Sequence, residues 1–336
     1  MLQSIKSRLK CTGCIESLVG GRSENQDSAA SADTPLGTLV VVCDGMGGMK
    51  GGKKASSMAV DSVIASVSAA PEDGNPAEVL YDAIAKANSS IAEEGRKEEF
   101  KGMGTTVVAL LLTERSAVVA QLGDSRVYQI RKGKKIFRTT DHSMVFDMVK
   151  ANVITEEQAR LSSCSNIILK ALGISETAEP SIVELPYRRH DRFVLCTDGF
   201  WAATDEDTFL KKLSVKESPE QMLSALAEEI DSIGRDGGGN HDNLTAAIVD
   251  VDADSVLKDR RRTGFPILKL CVYVLLAASL GLNLYSLVLM SERKDLREEL
   301  AGLRDDLVTA QEYLTAQKVE KILDMVTGGD RTASED

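Results

Sequence analysis

The chain has no surplus of basic charge to offer a polyanion: 40 Lys and Arg stand against 51 Asp and Glu, a formal net charge of −11 over 336 residues. A nucleic-acid surface needs clustered cations facing phosphates, so that class is set aside. Cysteine is sparse and scattered over Cys11, Cys14, Cys43, Cys164, Cys196 and Cys271, two of them inside the apolar runs "VVVC" and "FVLC". These read as buried thiols of a reducing compartment, which excludes a disulfide framework. The spacing in "CTGC", Cys11 and Cys14, suits half a zinc site or a redox pair, but no second CxxC follows. The first residues carry Lys6, Arg8 and Lys10 and lack the apolar core of a signal peptide, so the leading domain is expected to remain unexported.

Long apolar stretches are also missing over most of the chain. From about residue 17 to residue 252, short apolar runs alternate with turn signals, the pattern of a mixed α/β domain. With 43% hydrophobic and 27% charged residues, the chain is globular and has material for one large core or two modest ones. Strands are predicted at "TLVVVC", "TTVVALLL", "SAVVAQLG", "RVYQIRKG", "RFVLCTDG" and "LTAAIVDV". Helices are predicted over residues 53–68, 76–96, 144–150 and 219–233, where apolar side chains recur every three or four positions. Very short joints at Gly123 to Asp124 and Lys132 to Gly133 read as hairpin turns, so the sheets are expected to be largely antiparallel.

One apolar run breaks this pattern. After the basic, turn-forming "KDRRRTGFP", residues 270–291 contain no Asp, Glu, Lys, Arg or His. At about 1.5 Å of rise per residue such a helix crosses roughly 30 Å of hydrocarbon, and a core helix of that length would show a polar face. The segment is therefore read as a transmembrane helix. Arg260, Arg261, Arg262 and Lys269 flank its N-terminal side, while acids dilute Arg293, Lys294 and Arg297 on the other, which places the large domain in the cytoplasm of a single-pass membrane protein. Beyond the span, Leu296, Leu300, Leu303, Leu307, Ala310 and Leu314 recur at spacings of four and three, an a/d seam that predicts a short coiled coil and self-association through it. The organisation expected is an N-terminal extension (1–16), a large globular domain (17–255), a basic linker (256–269), the span (270–291), the coiled-coil helix (292–326) and a disordered tail (327–336).

Several aspartates stand where a strand gives way to glycine or a polar turn: Asp44 in "VVCDGMGG", Asp124 in "QLGDSRVY", Asp198 in "VLCTDGFW" and Asp242 in "GNHDNLTAAIV", with Asp27 in "GRSENQDSAA". One such residue is a turn former; several beside core strands suggest a shared edge. Carboxylates gathered there repel unless protons or cations compensate them. Oxygen donors without His or Cys favour a hard ion such as Mg2+ or Mn2+, and Gly45 would let a backbone carbonyl approach it. Two such ions could share a water and lower its pKa for in-line attack on phosphorus, with Arg22 holding two phosphate oxygens.

In this order, "GGRSENQD", "VVCDGMGGMKGG", "MGTTVVALLL", "GDSRVY", "TTDHSMV", "NIILKALG", "CTDGFW" and "HDNLTAAIV" resemble the metal-dependent PP2C (PPM) family of protein serine/threonine phosphatases over about residues 17–252. The resemblance implies an α+β fold, a β-sandwich of two antiparallel sheets flanked by helices, with a two-metal centre in the cleft between the sheets. It implies that Asp44 bridges both ions, that Gly45 gives its carbonyl to one of them, and that Asp198 and Asp242 ligate the other. By the same resemblance Asp27 holds metal-bound water, Arg22 binds the phosphate, and Asp124 belongs to a third, weaker metal. Residues 145–166 correspond to a mobile flap near the substrate groove.

Two positions depart from the family. Gln26 stands where many members have Glu, and altered metal affinity is expected from it. Met46 stands where animal members have a histidine proposed as general acid, so the leaving group's proton donor is unassigned and water is the default. His142, His190 and His241 are read as structural. The function expected is a membrane-anchored phosphatase acting on phosphorylated proteins, substrates of a serine/threonine kinase, with Mn2+ or Mg2+ as cofactor; the alternative is a catalytically weak phosphoprotein-binding scaffold that signals through the membrane and coiled coil.

Overall fold

Apolar runs without alternation become strands buried on both faces. In a computed structural model of the protein, Leu39, Val41 and Cys43 point one way into a helix-covered core, and Val40 and Val42 point the other way into the space between two sheets. The structure describes residues 2–257 apart from 163, 165, 166 and 176, and residues 265–327; for 48–50, 265–274, 277 and 324–327 it describes backbone alone. The chain divides into two units, Met1–Asp259 and Arg260–Asp336.

In the first unit, one sheet runs β1 (Gln3–Ser4), β2 (Cys11–Leu18), β13 (Leu244–Val251), β12 (Asp191–Cys196), β9 (Arg126–Arg131), β10 (Lys134–Arg138) from edge to edge. The other runs β11 (Ser181–Leu185), β8 (Ala117–Leu122), β7 (Val107–Leu112), β4 (Gly37–Cys43), β3 (Ser28–Thr34). A two-residue ladder joins β5 (Gly45–Met46) to β6 (Gly104–Thr105). Every strand pairing among the described residues is antiparallel, as expected from the sequence.

Helices α1 (Gly48–Ser68) and α2 (Pro76–Glu94) cover the five-stranded sheet, burying Val63, Leu80 and Ile84 against Leu39, Ala109 and Leu111. The six-stranded sheet is covered by α5 (Asp198–Trp201), α6 (Glu206–Leu213) and α7 (Pro219–Asp236), whose Phe200, Phe209 and Leu223 pack on Tyr128, Val194 and Ile248. Each fully buried Leu or Phe contributes roughly 1.5–3 kcal/mol, so the three layers of core hold the sandwich. Asn75 and Ser218 cap α2 and α7, and each helix starts on a proline whose missing N–H costs nothing there. Two further helices, α3 (Met144–Lys150) and α4 (Glu156–Arg160), lie between β10 and β11.

Three sequence expectations change. Residues 1–16 are not an extension: β1 and most of β2 come from them, and β2 pairs with β13 over eight residues from Leu18 to Cys11. Within β2, Cys11 and Cys14 are three residues apart, so strand alternation sends them to opposite faces. Cys11 packs in the core between the sheets and Cys14 under α7, which rules out a chelate or disulfide between them. Lys132 and Gly133, at φ 49° and 72°, do make the β9–β10 hairpin, but the joint at Gly123 and Asp124 makes none. β8 pairs with β7 and β11 and β9 with β12 and β10, so that joint carries the chain from one sheet to the other. Gly123 makes the crossing possible: its φ is 110°, and a Cβ there would stand 2.6 Å from Thr106 Cγ2.

The second unit is α8 (Phe265–Thr327), one unbroken helix of 63 residues that takes in both the expected span and the expected coiled coil. Leu296, Leu300, Leu303, Leu307 and Leu314 are all exposed on it. Of the expected span, residues 270–274 and 277 lie outside the described side chains, and among the described residues no helix is long and apolar enough to cross a membrane. Residues 258–264 of the linker and 328–336 of the tail lie outside the described residues.

Candidate active site

Antiparallel strands bring alternate chain ends to one end of the sandwich, and the aspartates are there. Asp44 follows β4, Asp198 opens α5 just after β12, Asp242 precedes β13, Asp27 precedes β3, and Asp124 rides the crossing from β8 to β9. Asp44, Asp124, Asp198 and Asp242 line one cleft of about 710 Å³ with Gly45, and Arg22 is the one cation among its described lining residues. The sequence-derived set is therefore brought together, except that Asp27 sits behind the cleft. It is 2% exposed, and Thr197 Oγ1 donates to its Oδ2 at 3.0 Å.

The carboxyls are held against their charge. Burial, then the charges of Asp198, Asp27, Asp124 and Asp242, hold the Asp44 carboxyl well above the usual carboxylate range. Asp124 is raised by burial and by Asp198 and Asp141. Burial and Asp242 raise Asp198, and a hydrogen bond with Asp44 partly offsets them. Burial, opposed by hydrogen bonds from Thr245 and Thr197 and reinforced by Asp198 and Asp242, pushes the Asp27 carboxyl up to about 7. Asp124 Oδ1 is buried with no hydrogen-bond partner.

These observations fit a site for hard cations: the donors are oxygens, four acids line the cleft against one arginine, and one buried oxygen is orphaned. Among the described residues, no three His, Cys, Asp or Glu side chains are already gathered round one point. Asp44 bonds to Asp198, and Asp242 Oδ2 accepts from Arg22 Nη2 at 3.0 Å, so closing a shell means exchanging those contacts for the ion. Gly45 admits no side chain, since a Cβ would meet the Gly52 carbonyl oxygen at 2.1 Å.

Backbone bonds fix the framework. The Asp44 N–H donates to Thr106 Oγ1 at 2.9 Å, and the Asp44 carbonyl accepts from Thr106 N–H and Thr105 Oγ1 at 2.8 and 2.7 Å. Asn243, unnoticed in "HDNL", accepts from Gln26 N–H and donates to the carbonyls of Val19 and Glu24, which shapes the loop that carries Arg22. A second group missed in the sequence lies behind Asp124. Trp201 Nε1 donates to the Asp124 carbonyl at 3.1 Å and stacks on Arg126, whose guanidinium centre is 3.4 Å from the ring, while Arg126 binds both oxygens of buried Asp141. The sequence signal was present in "GDSR" and "TDGFW", but the partners are far apart in the chain.

Two of the histidines are held by hydrogen bonds. His142 Nδ1 accepts from Gly123 N–H at 3.3 Å, and His241 Nε2 bonds Asp231 at 2.8 Å. No histidine lines the cleft among the described residues, and Met46 does. Beside the cleft, α3 and α4 are tied to the six-stranded sheet by Arg138. Its guanidinium donates to Glu156 at 2.7 Å and to Glu206 at 2.6 Å, and it lies 5.3 Å from the Phe146 ring.

A family model described as protein phosphatase 2C matches residues 19–236. The chain belongs to this family. It is 35% identical over 238 residues to a putative protein phosphatase 2C-type of Streptococcus pyogenes serotype M6, a match that covers 70% of this chain and 95% of the relative. The solved serine/threonine phosphatase of S. agalactiae is similar at 28% identity and a TM-score of 0.64, over 72% of this chain and all of that one. The catalytic domain of PstP, solved with two manganese ions, is similar at 29% identity and a TM-score of 0.59, over 75% of this chain and all of that one. The protein is thus a PP2C-type serine/threonine phosphatase, with the α+β sandwich of that family. The family match stops before α8.

Proposed function

We propose that this phosphatase is anchored in a membrane by one helix and removes phosphate from phosphoserine and phosphothreonine of kinase substrates on the cytoplasmic side, at a centre of two Mn2+ or Mg2+ ions. The observation that carries the chemistry is the convergence of Asp44, Asp124, Asp198 and Asp242 on a cleft whose lining cation is Arg22. Asp44, the Gly45 carbonyl, Asp198 and Asp242 would hold the pair of ions, and Asp124 a third, weaker one. Such ions, when bound, supply a water of lowered pKa for in-line attack and screen the charge of the phosphoryl group.

The chain's own residues do the rest. Arg22, released from Asp242, grips two phosphoryl oxygens and presents phosphorus to the attacking side. Asp27, buried behind the cleft and accepting from Thr197 Oγ1, adds its charge to the acidic set that a cation would balance. Water protonates the departing serine or threonine oxygen, since no histidine stands in the described lining.

Anchoring rests on residues 270–291, which hold no Asp, Glu, Lys, Arg or His, and on Leu275, Leu276, Leu280, Leu282, Leu284 and Leu287, all exposed around α8. The test uses the full chain in detergent with Mn2+ and a phosphothreonine peptide. Turnover is expected, with a loss of at least ~100-fold on Asp44→Ala or Asp198→Ala or in chelator. Undiminished turnover in the variants would sink the site. Recovery of the full chain in the soluble fraction after a carbonate wash of membranes would sink the anchor.

A further inference from the structure

We infer that α8 pairs with a second copy of this chain as a parallel, in-register coiled coil over residues 296–314. The orientation is specified by charge. With Leu300, Leu307 and Leu314 at the a positions and Leu296, Leu303 and Ala310 at the d positions, each g position comes just before an a and each e just after a d. The g residues are then Glu292, Glu299, Asp306 and the uncharged Tyr313, and the e residues Arg297, Arg304 and Gln311.

In a parallel pair, g of one helix meets e of the next heptad on the other, which matches Glu292 with Arg297, Glu299 with Arg304 and Asp306 with Gln311. Antiparallel packing would set e against e and g against g, which puts arginine beside arginine and acid beside acid. Every one of these contacts is made twice across the two-fold axis.

The surface is open for such a partner. Leu296, Leu300, Leu303, Leu307 and Leu314 are 58–68% exposed. Among the described residues, no ion pair within the helix engages Glu292, Arg297, Glu299 or Arg304; Lys294 with Glu298 is the pair the segment makes. A lipid surface is a poorer occupant, because acids outnumber bases over residues 292–314 and anionic headgroups would repel them. The apolar seam starts at Leu296, since the preceding a position is Arg293. The inference stands apart from the chemistry of the cleft.

The full chain in detergent micelles tests it. Leu296→Cys, treated with a mild oxidant, should give a covalent dimer well above the background from the native cysteines, because parallel d residues face their own copies at disulfide range. Antiparallel pairing would put the two introduced thiols about 27 Å apart, 18 residues of helix. On the Leu296→Cys chain, Arg297→Glu with Arg304→Glu should lower cross-linking at least ~10-fold. Adding Glu292→Arg and Glu299→Arg to that chain should restore it. Phosphatase activity should stay unchanged in all of them and reports that the catalytic unit is folded. No cross-link in the Leu296→Cys chain, a cross-link indifferent to the charge changes, or preferential cross-linking of Leu296→Cys with Leu314→Cys chains would each overturn the inference.

Discussion

Asn243 shows how much of the site is not acid. Its side chain makes three bonds to the loop holding Arg22, to Gln26, Val19 and Glu24, and a net hydrogen bond contributes about 0.5–1.5 kcal/mol. Asn243→Ala should therefore lower kcat/KM by roughly 10–100-fold and raise the Mn2+ concentration that half-activates the enzyme; a metal titration of activity checks both. Asp27 makes a second prediction. The folded, metal-free protein holds the Asp27 proton up to about 7, against 3.8 for an ordinary Asp. Its contribution to stability is full below the lower value and is lost as the pH rises through the upper one. In chelator, the melting temperature should fall as the pH rises from about 4 to about 7, and Asp27→Asn should reduce that slope, to which Asp44, Asp124 and Asp198 also contribute. Asp44, Asp124, Asp198 and Asp242 were legible because each adjoins a strand signal in the sequence, whereas Asp27 precedes the inconspicuous "SAASADT". Asn243, Thr106 and the Arg126, Asp141 and Trp201 group were not, because their roles depend on partners that only folding supplies.

Among the elements, the crossing at Gly123 matters most to the site, because it puts Asp124 between the sheets. Local reading took a tight Gly-Asp joint for a hairpin; which sheet each strand joins is decided by long-range pairing, which a turn motif does not encode. Gly123→Ala combines a positive φ with the contact at Thr106, and should destabilise the domain by at least ~1–2 kcal/mol in chemical denaturation. β11 and β3 were likewise hard to see: "SIVEL" is short, and "SAASADT" lacks the bulky residues that mark strands. The Arg138 tie on α3 and α4 gives a kinetic expectation. Arg138→Ala frees Glu156 and Phe146, so KM for a phosphoprotein should change by roughly 3–10-fold while turnover of a small aryl phosphate holds, and Arg138→Lys should recover part of the effect. Equal loss on both substrates would assign Arg138 to folding alone.

Within the first unit, the cleft and the point where the chain leaves the sheet lie at opposite ends of one strand. β13 begins next to Asp242 and ends at Val251, eight residues and roughly 27 Å further on. There the chain leaves the sheet and runs along the far end of the sandwich, where Val256 N–H and Leu257 N–H donate to the carbonyls of Glu114 and Arg115. The exit is thus bonded in place at the base, and the cleft opens at the other end. With the anchor proposed above, the length of chain after Leu257 sets which phosphoproteins fixed to the same surface reach the cleft, while dissolved ones reach it whatever that length. Inserting about 20 Gly and Ser residues after Leu257, a coil of roughly 25 Å end to end, should raise the turnover of a phosphopeptide fixed to the same vesicle and leave that of a free peptide unchanged.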